Sequence, residues 1–116
     1  MEFDLNQTDE LLATTRAVRK RLDFDRAVPR DVIEECIGLS QQAPTGTNSQ
    51  GWRWLIIEDA EKRAGLAELY KKMADVYLVE EGRKAAESGD AQTARVLDSA
   101  VFLAENLQNA PVHVIP

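Results

Sequence analysis

The sequence predicts an α+β fold in which helices dominate and short strands are few. Three observations point there. Four stretches repeat apolar residues at the three-and-four spacing of a helix face. Two short stretches, Trp52–Ile57 and Pro111–Pro116, are rich in aromatic, β-branched or strand-compatible residues. Between the second helix and the first strand lies Ala43–Gly51, which reads APTGTNSQG and is turn chemistry throughout.

Taken in order, the first helix is expected from about Thr8 to Arg19, capped by Thr8 or Asp9, with Leu11, Leu12, Thr15 and Val18 on one face. Pro29 suits the first position of a second helix, which groups Val32, Ile33, Cys36, Ile37 and Ser40. That helix stops at or before Ala43, because a residue preceding proline resists helical geometry. The spacing favours a buried structural role for Cys36. Asp59 caps a long helix with Leu66, Leu69, Tyr70, Met73, Val76 and Tyr77 along one side. The polar stretch 81–90 carries Gly82 and Gly89, both read as breaks. A last helix over about Ala91–Asn109 leads into the terminal strand, where the lone His113 is a structural residue.

Two short strands are too few for an independent sheet. They can pair in parallel, since the connection between them is long. Further strands are expected from a partner chain or from a longer protein, of which residues 1–116 form the N-terminal part of a single domain.

Composition excludes several classes. Hydrophobic residues are 44% and charged residues 29% of the 116, an ordinary globular balance that excludes collagen, a disulfide scaffold and a disordered tail. No apolar run approaches the roughly 20 residues of a membrane span, and MEFDLNQTDE has no secretory core. One Cys and one His cannot build a structural zinc site, and the single Cys suits a reducing cytoplasm. The net charge is −6, yet residues 16–30 carry +4, with Arg16, Arg19, Lys20, Arg21, Arg26 and Arg30 set against Asp23 and Asp25. One short basic segment in an acidic chain suits a compact anion such as a phosphate better than nucleic acid. A solvated basic face is the plainer alternative.

In the turn tract, Gly46 and Gly51 permit close backbone approach, while Thr45, Thr47, Asn48 and Gln50 offer donors and acceptors to an amide-rich heterocycle. A nucleotide triphosphatase loop is excluded: Trp52 and Arg53 stand where Lys and Ser or Thr are required.

Two motifs resemble the nitroreductase family of flavin enzymes. Thr14-Thr-Arg-Ala-Val-Arg-Lys-Arg-Leu-Asp-Phe24 followed by Val28-Pro29 is similar to that family's Arg-Ser-Val-Arg-like segment and Val-Pro helix start. Ala43-Pro-Thr-Gly-Thr-Asn-Ser-Gln-Gly-Trp52 is similar to its Ala-Pro-Ser-x-x-Asn-x-Gln-Pro-Trp signature, most like an actinobacterial-type branch. The terminal Ala110–Ile115 also resembles the family's strand after a long helix. The resemblance implies a nitroreductase-like central sheet flanked by helices, here its helix-rich N-terminal half with two strands. It implies FMN as cofactor and NADH or NADPH as electron donor. The acceptor would be a nitroaromatic, quinone or similar small molecule.

By the same resemblance Arg16, Ala17 and Arg19 meet the phosphate, the ribityl chain or the ring's N1–C2 edge. Pro44, Thr45, Gly46 and Asn48 line the ring, and Gln50 supports the loop. Charge-assisted bonds from arginine suit these anionic groups. Three departures bear on detail. Ala17 replaces a common Ser, Thr15 stands where many members carry Arg, and Gly51 replaces Pro. No side chain is identified as a catalytic acid. The family pattern further implies a homodimer with FMN at the interface and a 116-residue stretch that is incomplete as an enzyme. Cysteine usage, acidic charge and the lack of an apolar span point to a cytoplasmic protein that binds neither nucleic acid nor membrane. Two alternatives stand beside this reading: a non-catalytic helical interaction module, and a family member devoted to another flavin reaction.

Overall fold

The computed structural model describes residues 2–116. Six regular elements follow one another: α1 (Leu5–Thr14), α2 (Arg30–Ser40), β1 (Leu55–Ile57), α3 (Ala60–Ser88), α4 (Ala91–Asn106) and β2 (His113–Ile115). Single 3-10 turns lie at Gly46–Asn48 and Leu107–Asn109.

The first helix begins earlier than its periodicity predicts. Asp4, not Thr8 or Asp9, accepts the Gln7 amide at 3.1 Å and caps the helix. It also ends earlier, at Thr14. Thr14 and Thr15 both turn their hydroxyls back, each 2.6 Å from the carbonyl four residues upstream. Thr15 then adopts an extended conformation.

A helical hairpin organises the chain. Asp59 caps α3 through the Lys62 amide at 2.9 Å, as its position in the sequence predicts. The helix runs through Gly82, where the sequence predicts a break. Ion pairs one turn apart, Arg83 with Glu80 and Glu87 and Lys84 with Glu81, brace the polar turns around that glycine. The break comes at Gly89, where φ is +69° and a left-handed residue closes the helix. Asp90 immediately caps α4, accepting the amides of Gln92 and Thr93, both at 3.0 Å. The hydroxyl of Thr93 also donates to Asp90 and holds its carboxyl below the usual range, with the backbone amides adding to the effect.

Buried alanines set the hairpin's close packing: Ala67 and Ala85 on α3, and Ala104 on α4. At its base, Arg63 donates to the carbonyls of Glu58 (3.1 Å), Gln108 (2.9 Å) and Ala110, tying the start of α3 to the chain that enters β2. His113 is buried and its Nε2 lies 2.8 Å from the Leu107 carbonyl, a structural contact.

The strands pair antiparallel, with Leu55 opposite Ile115, Ile56 opposite Val114 and Ile57 opposite His113. The parallel arrangement is thereby corrected. A single crossover helix carries the chain to the far end of a sheet, but a helical hairpin returns it to the end it left. Ile57 and His113 accordingly face each other. The first strand is also shorter than expected: Trp52 and Trp54 precede it, half-buried and stacked with ring centroids 6.3 Å apart. Their indole nitrogens are enclosed and have no protein partner among the described residues.

Much apolar surface stays uncovered. No side chain of α1 is buried, and α2 buries only Ile33. Cys36 is therefore exposed, correcting the expectation of a buried thiol. The Cα radius of gyration is 17.5 Å, against about 13 Å for a compact chain of this length.

Candidate functional site

The basic segment following α1 is held in two ways. Arg16 folds back on its own helix, its Nη1 2.8 Å from the Ala13 carbonyl and 2.7 Å from that of Thr15. A guanidinium there meets the unpaired carbonyls and the negative end of the helix dipole. Arg19 instead reaches across the chain, its Nη1 donating to Ser99 Oγ of α4 at 3.2 Å. Both Arg19 and Ser99 are half-buried.

Two neighbouring contacts reinforce that attachment. Lys20 pairs with Asp98, and the ring of Phe24 stacks on Phe102 at 6.3 Å with an interplanar angle of 20°. Positions 98, 99 and 102 lie on adjacent turns of α4, so one stripe of that helix seats the segment. Arg21 and Arg26 have no ion-pair partner among the described residues.

Thr45, Asn48 and Gln50, picked out from the sequence, come together in a self-bonded loop. The amide of Gln50 donates to Thr45 Oγ1 at 3.1 Å, and Gln50 Nε2 donates to Asn48 Oδ1 at 2.7 Å. The Asn48 amide closes the turn on the Thr45 carbonyl at 3.0 Å. Left-handed backbone appears at Thr47 (φ +53°), Asn48 (φ +53°) and Gln50 (φ +48°). Such conformations are uncommon outside glycine, above all for a β-branched residue such as Thr47. Each costs on the order of 1–3 kcal/mol and clusters at ligand-binding loops. Gly46, by contrast, lies open, with no atom within 4 Å of where a Cβ would sit.

Thr45 is half-buried, while Ala17, Pro44, Gly46, Asn48, Gln50 and Arg16 are exposed. The two segments are separate in their bonding: among the described residues no hydrogen bond or ion pair joins residues 16–19 to residues 44–50. Sequence reasoning missed Asp98 and Ser99. Nothing local marks them, since their partners lie 78 and 80 positions away.

The donor set fits a phosphorylated heterocyclic cofactor. Arg19 uses one of its five N–H groups on Ser99, and the others have no protein acceptor among the described residues. The loop offers the side-chain Nδ2 of Asn48 and the exposed backbone at Gly46 to a planar ring bearing carbonyl and imide edges. No helix among the described residues is long and apolar enough to cross a membrane.

The family model described as "Nitroreductase family" matches residues 12–116, a span that contains both segments and both strands. No curated protein and no solved structure matches the chain.

Proposed function

The chain belongs to the nitroreductase family, a family of flavin oxidoreductases, and from that premise we propose that it uses FMN to pass electrons from NADH or NADPH to a nitroaromatic, quinone or similar acceptor. The observation that carries the proposal is Arg19: half-buried, fixed by one bond to Ser99, with its remaining N–H groups uncommitted to protein acceptors among the described residues. A guanidinium held in this way is ready to take a phosphate or an electron-rich ring edge through short charge-assisted bonds.

When bound, FMN supplies the redox chemistry, and the protein supplies binding, orientation and electrostatics. Arg16 and Arg19 bind the phosphate, the ribityl chain or the N1–C2 edge, with Ala17 between them. Pro44, Thr45, Gly46 and Asn48 line the ring. Gln50 keeps the loop in shape from within, through its bonds to Thr45 and Asn48. No residue is assigned a proton-transfer step.

The proposed assembly is a homodimer with FMN at the interface. Leu69, Met73, Val76, Tyr77 and Val79 stand exposed along α3, as do Leu5, Leu11 and Leu12 on α1, and a second chain would cover such faces. An open apolar groove of about 660 Å³ beside β2, lined in part by Leu22, Leu66 and Tyr70, extends the same surface. The proposed location is the cytoplasm, where the exposed Cys36 stays reduced.

The test is steady-state oxidation of NADH and of NADPH by the purified, FMN-loaded full-length protein, with menadione or nitrofurazone as acceptor. Oxidation that needs both FMN and acceptor supports the proposal. FMN-loaded protein that oxidises neither donor with either acceptor overturns it, and salt-sensitive protein binding independent of FMN would favour an interaction module.

A further inference from the structure

We propose that Ser99 is a positioning residue that orients Arg19 toward the cofactor. This deepens the flavin reading above and rests on it. The hydroxyl of Ser99 has an unambiguous arrangement: it donates to the Val96 carbonyl at 2.7 Å, which leaves its lone pairs to accept Arg19 Nη1 at 3.2 Å. A serine inside a helix is ordinarily neutral or unfavourable there. Here its hydroxyl links the helix backbone to a cation 80 positions upstream.

An arginine side chain has many rotamers, and ordering one at the moment of ligand binding weakens affinity. Ser99 performs that ordering before the ligand arrives. Lys20 on Asp98 and Phe24 on Phe102 seat the residues that follow Arg19 on the same helix, and Ser99 alone bonds the guanidinium itself. Asp98 contributes less, because its pair with Lys20 is exposed.

The experiment titrates FMN into the full-length protein by quenching of flavin fluorescence, for wild type, Ser99→Ala, Ser99→Thr, Arg19→Ala and the Arg19→Ala/Ser99→Ala double variant. Ser99→Ala is expected to weaken FMN binding roughly three- to tenfold with an unchanged melting temperature. Ser99→Thr keeps a hydroxyl that can bond the preceding turn and should stay within about twofold of wild type. In the Arg19→Ala background, Ser99→Ala should have no further effect. Wild-type affinity in Ser99→Ala, or an equal loss with and without Arg19, overturns the inference and leaves the flavin reading standing. Wild-type protein that takes up no FMN overturns both.

Discussion

Arg19 Nη1 lies 3.2 Å from the hydroxyl of Ser99, 80 positions further along the chain. With Lys20 on Asp98 and Phe24 on Phe102, that bond seats the one strongly basic segment of an acidic protein on a single stripe of α4. A charge pattern that is anonymous in the sequence thus becomes a fixed cation in the fold, and the proposed binding role rests on that position more than on net charge.

Arg19 and Arg21 should therefore differ, although both are arginines of the same segment. Arg19→Ala is expected to lower FMN affinity about tenfold or more, through the loss of a charge-assisted contact. Arg21→Ala removes the same charge from an unpaired, exposed position and should change affinity about twofold at most. Fluorescence titrations of both variants at low and moderate salt decide it. Equal losses would mean that only overall charge matters.

Thr47 occupies a left-handed conformation that glycine adopts freely. Thr47→Gly should relieve local strain and raise stability by roughly 0.5–1 kcal/mol, less whatever is lost with its hydroxyl's 2.7 Å contact to the Gly46 carbonyl. Urea unfolding measures this. A destabilised Thr47→Gly would show that the loop is held by that side chain and is not strained.

Gly89 joins the two arms of the hairpin at φ +69° with open space around it. Only its backbone conformation opposes a side chain, so Gly89→Ala should cost about 1–2 kcal/mol. Gly82, inside α3, should respond in the opposite sense, with Gly82→Ala stabilising by up to about 1 kcal/mol. Chemical denaturation of the pair tests whether one continuous helix runs from residue 60 to residue 88.

The cap on α4 predicts a pH dependence. Hydrogen bonds from Thr93, side chain first and then backbone, lower the pKa of Asp90 relative to its ordinary value of 3.8. A carboxyl depressed on folding contributes stability that is fully present above its unfolded pKa and is lost as pH falls through the folded one. Wild type should therefore lose melting temperature below about pH 4. Asp90→Asn keeps a capping oxygen without the titration, so its deficit relative to wild type should shrink over that window. A constant difference between the two from pH 6 to pH 2.5 would contradict the assigned bonds.

How far the sequence revealed all this depends on how local each cause is. The cap at Asp59, the left-handed stop at Gly89 and the turn at residues 43–51 are each set by a few neighbouring residues, and all three are legible in the sequence. Gly82 misleads because the ion pairs around it brace the helix more than one glycine weakens it. The antiparallel pairing of β1 and β2 follows from the two helices acting as one hairpin, which periodicity alone does not show. Cys36 has helical spacing typical of a core position, but no element among the described residues covers it, and it is exposed. Within the candidate site, Thr45, Asn48 and Gln50 were visible as turn chemistry. Ser99 was not, because its importance lies entirely in a partner that only folding brings near.

On the proposed reading, the basic segment and the strained loop of this chain serve a flavin. Its most direct test is equilibrium dialysis of the purified full-length protein against FMN, followed by the visible spectrum of the retained material. Retention of FMN equimolar with protein, lost in Arg19→Ala at the same free concentration, is the predicted result. A colourless protein that retains no more FMN than the buffer would contradict it.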